Sequence, residues 1–414
     1  AVYEKPRNVR FSHSTKGYPV SPVYMEILWQ DGPPGEGKPV VHQIALSMES
    51  GNEVYPQERL DSFFSIYGRG LGAVDEPGEF YYSPDEHKLY IRLHDGDNPN
   101  KHVIRAPYGA RTSLIGLSNK EYYIIRDLTL RGSAGSGIYT RGINHFRLEN
   151  TEISYMGGQL SLGNDVAIRS CCFHHGFYNV AQGTGEGFVF EGNEVHHMGD
   201  RDTWGYGIIG GETYGLNLSN GHHQVIRSNY FHDNVIGENG YGGGAIVQET
   251  WGRREGQPQQ ERTHHIVYEN NVFENCGYGL IISGRDTTHH HVIRHNVFRN
   301  FTRSAIRIAG DNQDHLISEN IFVDSRDPAI RILGGGKSRY IASSEPYPYH
   351  PVGNTIKGNI LIGDEVSFER GAQAESNEVT DNTTLPQKEY TLQELINMSM
   401  DMGADFSNVP VIGR

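Results

Sequence analysis

The phrase "IVYENNVFEN" (Ile266 to Asn275) returns about 25 residues later as "VIRHNVFRN" (Val292 to Asn300). It recurs as "FVFEGNEV" (Phe188 to Val195), "VIRSNYF" (Val225 to Phe231), "LISENIF" (Leu316 to Phe322) and "TIKGNIL" (Thr355 to Leu361). Looser copies come earlier: "IIRDLTL" (Ile124 to Leu130), "FRLENTEI" (Phe146 to Ile153) and "VAIRSCCF" (Val166 to Phe173). One column holds Asn193, Asn229, Asn271, Asn296, Asn320 and Asn359. Tight copies start about 24 residues apart, and the wider gaps carry Gly-rich or charged insertions. A period of this length, built from strand-sized apolar pieces, signals a solenoid.

Each repeat carries a further strand after a turn of small residues. These are "GIYT" (Gly137 to Thr140), "QLSL" (Gln159 to Leu162), "GIIG" (Gly207 to Gly210), "AIVQ" (Ala245 to Gln248), "LIIS" (Leu280 to Ser283) and two "AIRI" segments (Ala305 to Ile308, Ala329 to Ile332). Short β-branched strands with alternating sides and no helical period predict an all-β chain, a parallel β-helix with strands stacked about 4.8 Å apart. Asn at one turn position fits a ladder along that stack, because it tolerates unusual backbone angles and its amide bonds along it. The Phe that follows reads as an interior stacking residue.

The Asn-x-Phe step with Gly-rich second strands resembles the right-handed parallel β-helix superfamily, the pectate-lyase-like fold, over roughly 121–381. The resemblance implies the fold and a carbohydrate-active enzyme; one fold hosts many chemistries. Residues 1–118 do not repeat and read as an N-terminal β-rich domain or cap, with "VYMEILWQ", "VVHQIALSM" and the hairpin-like "GEFYYSPDEHKLYIRL" (Gly78 to Leu93). That last phrase, with "DEP" before it, is similar to an N-terminal segment of β-helix glycoside hydrolases of the xylanase and fucosidase kind. The solenoid is expected over 119–385. Residues 386–414 form a C-terminal cap in which "TLQELINMSM" opens with a capping-box pattern, Thr391 and Glu394. Leu392, Leu395 and Ile396 would let that helix plug or flank the last coil.

Composition agrees with a thin, turn-rich interior: 36% hydrophobic residues, with 51 Gly and 24 Tyr among 414. The net charge of −14 argues against nucleic acid, which needs a basic face. No apolar run is long enough to span a bilayer. The chain starts at Ala1, as a processed secreted or periplasmic protein, or a trimmed chain, would. Cys171, Cys172 and Cys276 match no zinc motif and read as buried small side chains.

If Ile138, Leu160, Ile208, Ile246, Ile281, Ile306 and Ile330 point inward, alternation turns Tyr139, Ser161, Ile209, Val247, Ile282, Arg307 and Arg331 outward. Carboxylates collect just beyond this strand. Glu212 and Glu249, and likewise Asp286 and Asp311, come from successive coils and are the candidate catalytic acids, since glycoside hydrolysis needs two carboxyls roughly 5–9 Å apart. Taken singly, each such acid is more often a solvated or amide-binding turn residue. Insertions on the same coils carry Trp204, Tyr206, Tyr241 and Trp251, suited to stacking on sugar rings or to anchoring loops.

Histidine comes in pairs, His174–His175, His196–His197, His222–His223 and His264–His265, with a triplet His289 to His291. Neighbours on a strand face opposite ways, so these read as structural turn residues and no metal site is expected. Asp200 and Asp202 offer oxygens for Ca2+, but no calcium motif supports it, and no cofactor is expected.

Glycoside hydrolysis of a polysaccharide or oligosaccharide by two of the four acids is the first reading. The alternative is a lyase acting on a uronate polymer, with Arg285, Arg307, Arg331 and Lys337 as candidate cations. The paired motifs of the alginate-lyase branch are missing, "GKS" at Gly336 to Ser338 standing alone, as are the Asp pairs of polygalacturonases. A non-catalytic sugar-binding module comes third.

Overall fold

The computed structural model describes residues 113–410 except 119, 134–135, 157–159, 177–178, 184, 199–213, 235–242, 251–260 and 335–349. Ahead of them it describes residue 74 and segments 2–4, 28–30, 38–42, 79–83, 88–93, 95–102 and 104–105. The candidate residues Trp204, Tyr206, Glu212, Tyr241, Trp251 and Lys337, and Asp200 and Asp202, lie outside the described residues, as do the side chains of Arg285 and Asp286.

The repeat folds into three parallel sheets wound round one interior. The first sheet stacks ten strands from Ile124–Arg126 to Glu378–Thr380, and the second ten from Thr129–Ser133 to Thr383–Leu385. The third runs from Leu160–Leu162 to Val366–Glu369, with Glu261–His264 pairing beside Tyr278–His289. Ahead of the solenoid, six strands form a mostly antiparallel sheet, and the expected hairpin pairs Glu79–Ser83 with Lys88–Arg92. Parallel coil pairing begins at Ile115, opposite Ile138.

Between the first and second sheets each coil turns on a left-handed residue, such as Ser228, Asn270, His295 or Glu319. The next residue is the predicted Asn, and the ladder is present. The backbone N–H and Nδ2 of Asn271 both donate to Asn296 Oδ1 at 3.0 Å, while its Nδ2 also reaches Ile226 O. The same pattern runs from Asn193 to Asn382, one rung beyond the predicted column. Buried amides are tolerated because every donor and acceptor finds a partner. The Phe that follows points inward, and Phe231, Phe273, Phe298 and Phe322 stack at 5.2, 4.7 and 4.9 Å between ring centroids.

The strand that joins Ala181–Gly183 to Gly244–Glu249 is Tyr214–Asn217, with Leu216 opposite Ile246. The expected "GIIG", with Ile208 and Ile209, lies outside the described residues. One register expectation is corrected. In "LIIS" the inward residue aligned with Ile246 and Ile306 is Leu280, and Ile281 faces outward in line with Arg307. Three consecutive apolar residues carry no phase of their own; the neighbouring coils set it.

The C-terminal helix, Leu392–Asp401, has its capping box, Thr391 bonding the Glu394 N–H and the Glu394 carboxylate bonding the Thr391 N–H. It flanks the solenoid rather than plugging it. Leu395 and Ile396 bury themselves on Val272, Val297, Ile321, Val323 and Ile362, outward residues of the second sheet. Among the described residues no helix is long and apolar enough to cross a membrane. Cys171 and Cys276 are buried, and burial pushes both thiols up to about 12. Cys172 departs from expectation: it is half-buried on the outer face of the second sheet.

Candidate functional site

The outward row of the third sheet follows from its registers: Ser161, Gln182, Asn217, Val247, Ile281, Arg307, Arg331 and Ser367. One end of the face is small and polar. In the middle Val247 and Ile281 pack with Tyr214 and Tyr278. At the other end Arg307 and Arg331 stand one coil apart, as expected. Glu369 takes the Arg331 guanidinium on two oxygens, at 2.7 and 2.8 Å, and Asp327 approaches it at 3.3 Å. The contact with Glu369 raises Arg331 above its ordinary value, and Tyr278 lies close enough to add to the effect. No ion pair to Arg307 occurs among the described residues.

The two candidate acids with described side chains do not meet. Glu249 is in register with Ser283, and through it with Ala309, whereas Asp311 lies two coils on and two residues beyond that row. Asp311 is buried and accepts from Thr287 Oγ1 at 2.8 Å and Gln313 Nε2 at 2.9 Å. These bonds tie the strand Ile306–Gln313 to its neighbour Tyr278–His289.

The sequence reading missed a second cluster, on the outer face of the second sheet. Two outward rows run side by side there, Glu152–Cys172–Glu194–Tyr230 and Ser154–His174–His196–His232–Glu274–Arg299. Arg131 holds Glu152 with two bonds, at 2.8 and 2.7 Å, and His174 Nε2 lies 3.0 Å from it. Burial pulls the Glu152 carboxyl upward, but these partners outweigh it and hold it below its ordinary value. Burial opposes a charge on His232 too, yet Glu194 and Asp233 prevail and raise it. His196 is driven the other way, to about 3, by burial and by its His232 and His174 neighbours. Tyr230 donates to Glu274 Oε2 at 2.5 Å, and burial with this bond pushes the phenol upward. A groove of about 720 Å³ opens beside the first row, lined by Glu152, Cys172, Glu194 and the C-terminal Asn408 and Pro410.

The histidine pairs also depart from expectation. The second member of each occupies left-handed backbone, so both rings lie on the same side rather than on opposite faces. Their Nδ1 atoms come within 2.6 to 3.1 Å of each other, and equivalent rings stack from coil to coil. The signal was in the sequence: a pair recurring at one repeat position must stack.

Residues 113–288 match the family model described as right handed beta helix region. No curated protein matches the chain. Among solved structures, it is similar to the Azotobacter vinelandii mannuronan C-5 epimerase AlgE4 A-module, at 17% identity and a TM-score of 0.48, over 67% of this chain and 74% of that one. A complex of XylC with xylose aligns at 10% identity and a TM-score of 0.49, over 88% of this chain and 67% of that one. Pectate lyase Bsp165PelA from Bacillus sp. N165, in complex with trigalacturonate, aligns at 12% identity and a TM-score of 0.37, over 63% and 86%. The ladder registers and the family match agree: the solenoid of this chain is a right-handed parallel β-helix.

Proposed function

We propose that the chain is a carbohydrate-active enzyme that binds a uronate-containing polysaccharide along the outer face of the third sheet and cleaves it by β-elimination. The observation that carries this reading is the aligned pair Arg307 and Arg331. Arg331 is neutralised by Glu369, whereas Arg307 leaves a guanidinium on the face for a sugar carboxylate. Neutralising that carboxylate makes the proton on the adjoining ring carbon easier to remove. A base takes the proton, the electron pair forms the ring double bond, and the glycosidic oxygen leaves, taking up a proton from solvent water. Tyr278, on the same face and within electrostatic reach of Arg331, is the proton acceptor we assign. The net charge of −14 repels an acidic polymer at long range, so recognition falls to these local cations.

Hydrolysis by paired carboxylates has less support from the described side chains, because Glu249 and Asp311 stand apart. Of the other candidates, Trp204, Tyr206, Tyr241 and Trp251 belong to insertions on the same coils, Glu212 follows "GIIG", and Asp286 and Arg285 belong to the strand Tyr278–His289.

The test is a product assay on neutral and uronate polysaccharides that follows reducing ends and ultraviolet absorbance together. Both should rise in step on a uronate polymer, and Arg307→Ala should lower kcat/KM by about a hundredfold or more. Reducing ends without absorbance would overturn elimination and return the search to the acids.

A further inference from the structure

We propose that the outer face of the second sheet holds a divalent transition-metal site of zinc type, formed by Cys172, Glu194, His196 and His232. This inference is independent of the proposed polysaccharide chemistry, which belongs to another sheet.

The four side chains come from three successive coils. Cys172 aligns with Glu194 in one outward row, and His196 with His232 in the row beside it. Ligand atoms of Glu194, His196 and His232 all lie within 4.8 Å of one another. Cys172 Sγ approaches the group at 3.9 Å from both Glu194 Oε2 and His196 Nε2. One thiol, two imidazoles and one carboxylate make a four-donor set of mixed sulfur, nitrogen and oxygen, which suits tetrahedral zinc rather than calcium or magnesium. Closing from these separations to metal-bond lengths requires side-chain rotation and no change of coil register.

The surroundings orient the donors. His232 Nδ1 is held 2.7 Å from Asp233 Oδ2, and His196 Nδ1 lies 2.7 Å from His197 Nδ1. Both rings thus have their inner nitrogen engaged and turn Nε2 toward Glu194 and Cys172. A carboxylate behind a ligating imidazole fixes its tautomer and raises its basicity. The site is shielded, with side-chain exposures of 13% for His232 and 10% for Glu194, so a bound cation would meet little competing water. The other convergent trio among the described residues, His222, His223 and His264, includes an exposed member and offers imidazoles alone, with the Nδ1 atoms of His222 and His223 facing each other at 3.1 Å.

The test uses the full chain without an affinity tag, stripped with chelator and titrated with Co2+ and then Zn2+. We expect one equivalent of Co2+ to give the strong visible bands of tetrahedral cobalt and a near-ultraviolet thiolate charge-transfer band. Zn2+ should displace it, and an excess of Ca2+ or Mg2+ should not. Cys172→Ser should remove the charge-transfer band, and His232→Gln should weaken Co2+ binding about tenfold or more. Far-ultraviolet circular dichroism checks that each variant keeps the solenoid. Absence of binding at micromolar Co2+ by the parent chain overturns the proposal. So does a spectrum unchanged by Cys172→Ser, or binding lost only in the paired variant His222→Ala/His264→Ala.

Discussion

Two corners of the solenoid use the same backbone device to different ends. At the corner between the first and second sheets, and again between the second and third, a left-handed residue precedes one that turns inward. From Asn193 onward the first corner places Asn there in every coil, each amide bonded to the next. At the second corner the residues are Gly176, Met198, Asn234, Cys276, Phe301, Ser325 and Asp364. Among the described residues the rungs there are discontinuous, as where the Met198 N–H donates to Asn234 Oδ1 at 2.9 Å and the Ser325 N–H to Asp364 Oδ2 at 3.3 Å. The backbone turn therefore does not require Asn. The ladder locks one corner along the stack, leaving the other able to vary, and the variable corner borders His174, His196 and His232.

The largest effect should come from breaking the locked corner. Asn296→Leu removes bonds from Nδ2 to Tyr268 O, Arg294 O and Asn320 Oδ1, and takes the acceptor from both donors of Asn271. At about 1–3 kcal/mol for each buried group left unpaired, we expect a loss of about 4 kcal/mol in urea unfolding. Phe301→Leu, a modest volume change at the variable corner, should cost less than half as much. Equal losses would mean that side-chain bonding does not distinguish the corners.

A smaller, pH-dependent effect should come from Asp364. Burial raises its carboxyl to about 7, although hydrogen bonds from Ser325 oppose the shift. The folded state thus holds this proton more tightly than the unfolded chain, whose value is near 3.8. Its contribution is full below that value and is lost as pH climbs toward 7. Asp364→Asn supplies the neutral acceptor that Asn234 already provides at this corner. Because Asp364 sits at the open end of the solenoid beside a groove, solvent screening reduces the gain to about 1–2 kcal/mol at pH 8, and to nearly nothing near pH 4. Denaturation at the two pH values measures the difference; a variant no more stable than the parent at pH 8 would show that the carboxylate finds compensation there.

The same contrast governs what could be read from the sequence. The locked corner was legible because one residue type recurs at one position, and the inward Phe stack came with it. The capping box of Thr391 and Glu394 was legible because its chemistry is local. The variable corner was not, because its residues share a backbone conformation and no side-chain type. The strand Tyr214–Asn217 was not singled out, because "YGLN" lacks β-branched residues and ends polar, and its place in the sheet comes from coil pairing. The acid and histidine rows of the second sheet were missed for a geometric reason. Alternation assigns adjacent histidines to opposite faces, but a left-handed second residue folds both rings to one side.

The smallest effect would sharpen the comparison most. Cys276 is buried at the variable corner, its thiol directed at Phe231 O and Glu274 O, with Asn234 Nδ2 3.9 Å from the sulfur. Those are the positions that partner a ladder amide: the carbonyl of the coil before, the carbonyl two residues back, and the side chain of the neighbouring rung. Cys276→Asn therefore has an acceptor for each of its N–H groups and a donor for its oxygen, in a side chain of similar volume. We expect stability in urea to change by less than about 1 kcal/mol. A loss above about 3 kcal/mol would instead mean that packing against Phe301 specifies this corner by shape. Its variety along the stack would then reflect a separate fit in every coil, and the corner would be as constrained as the ladder.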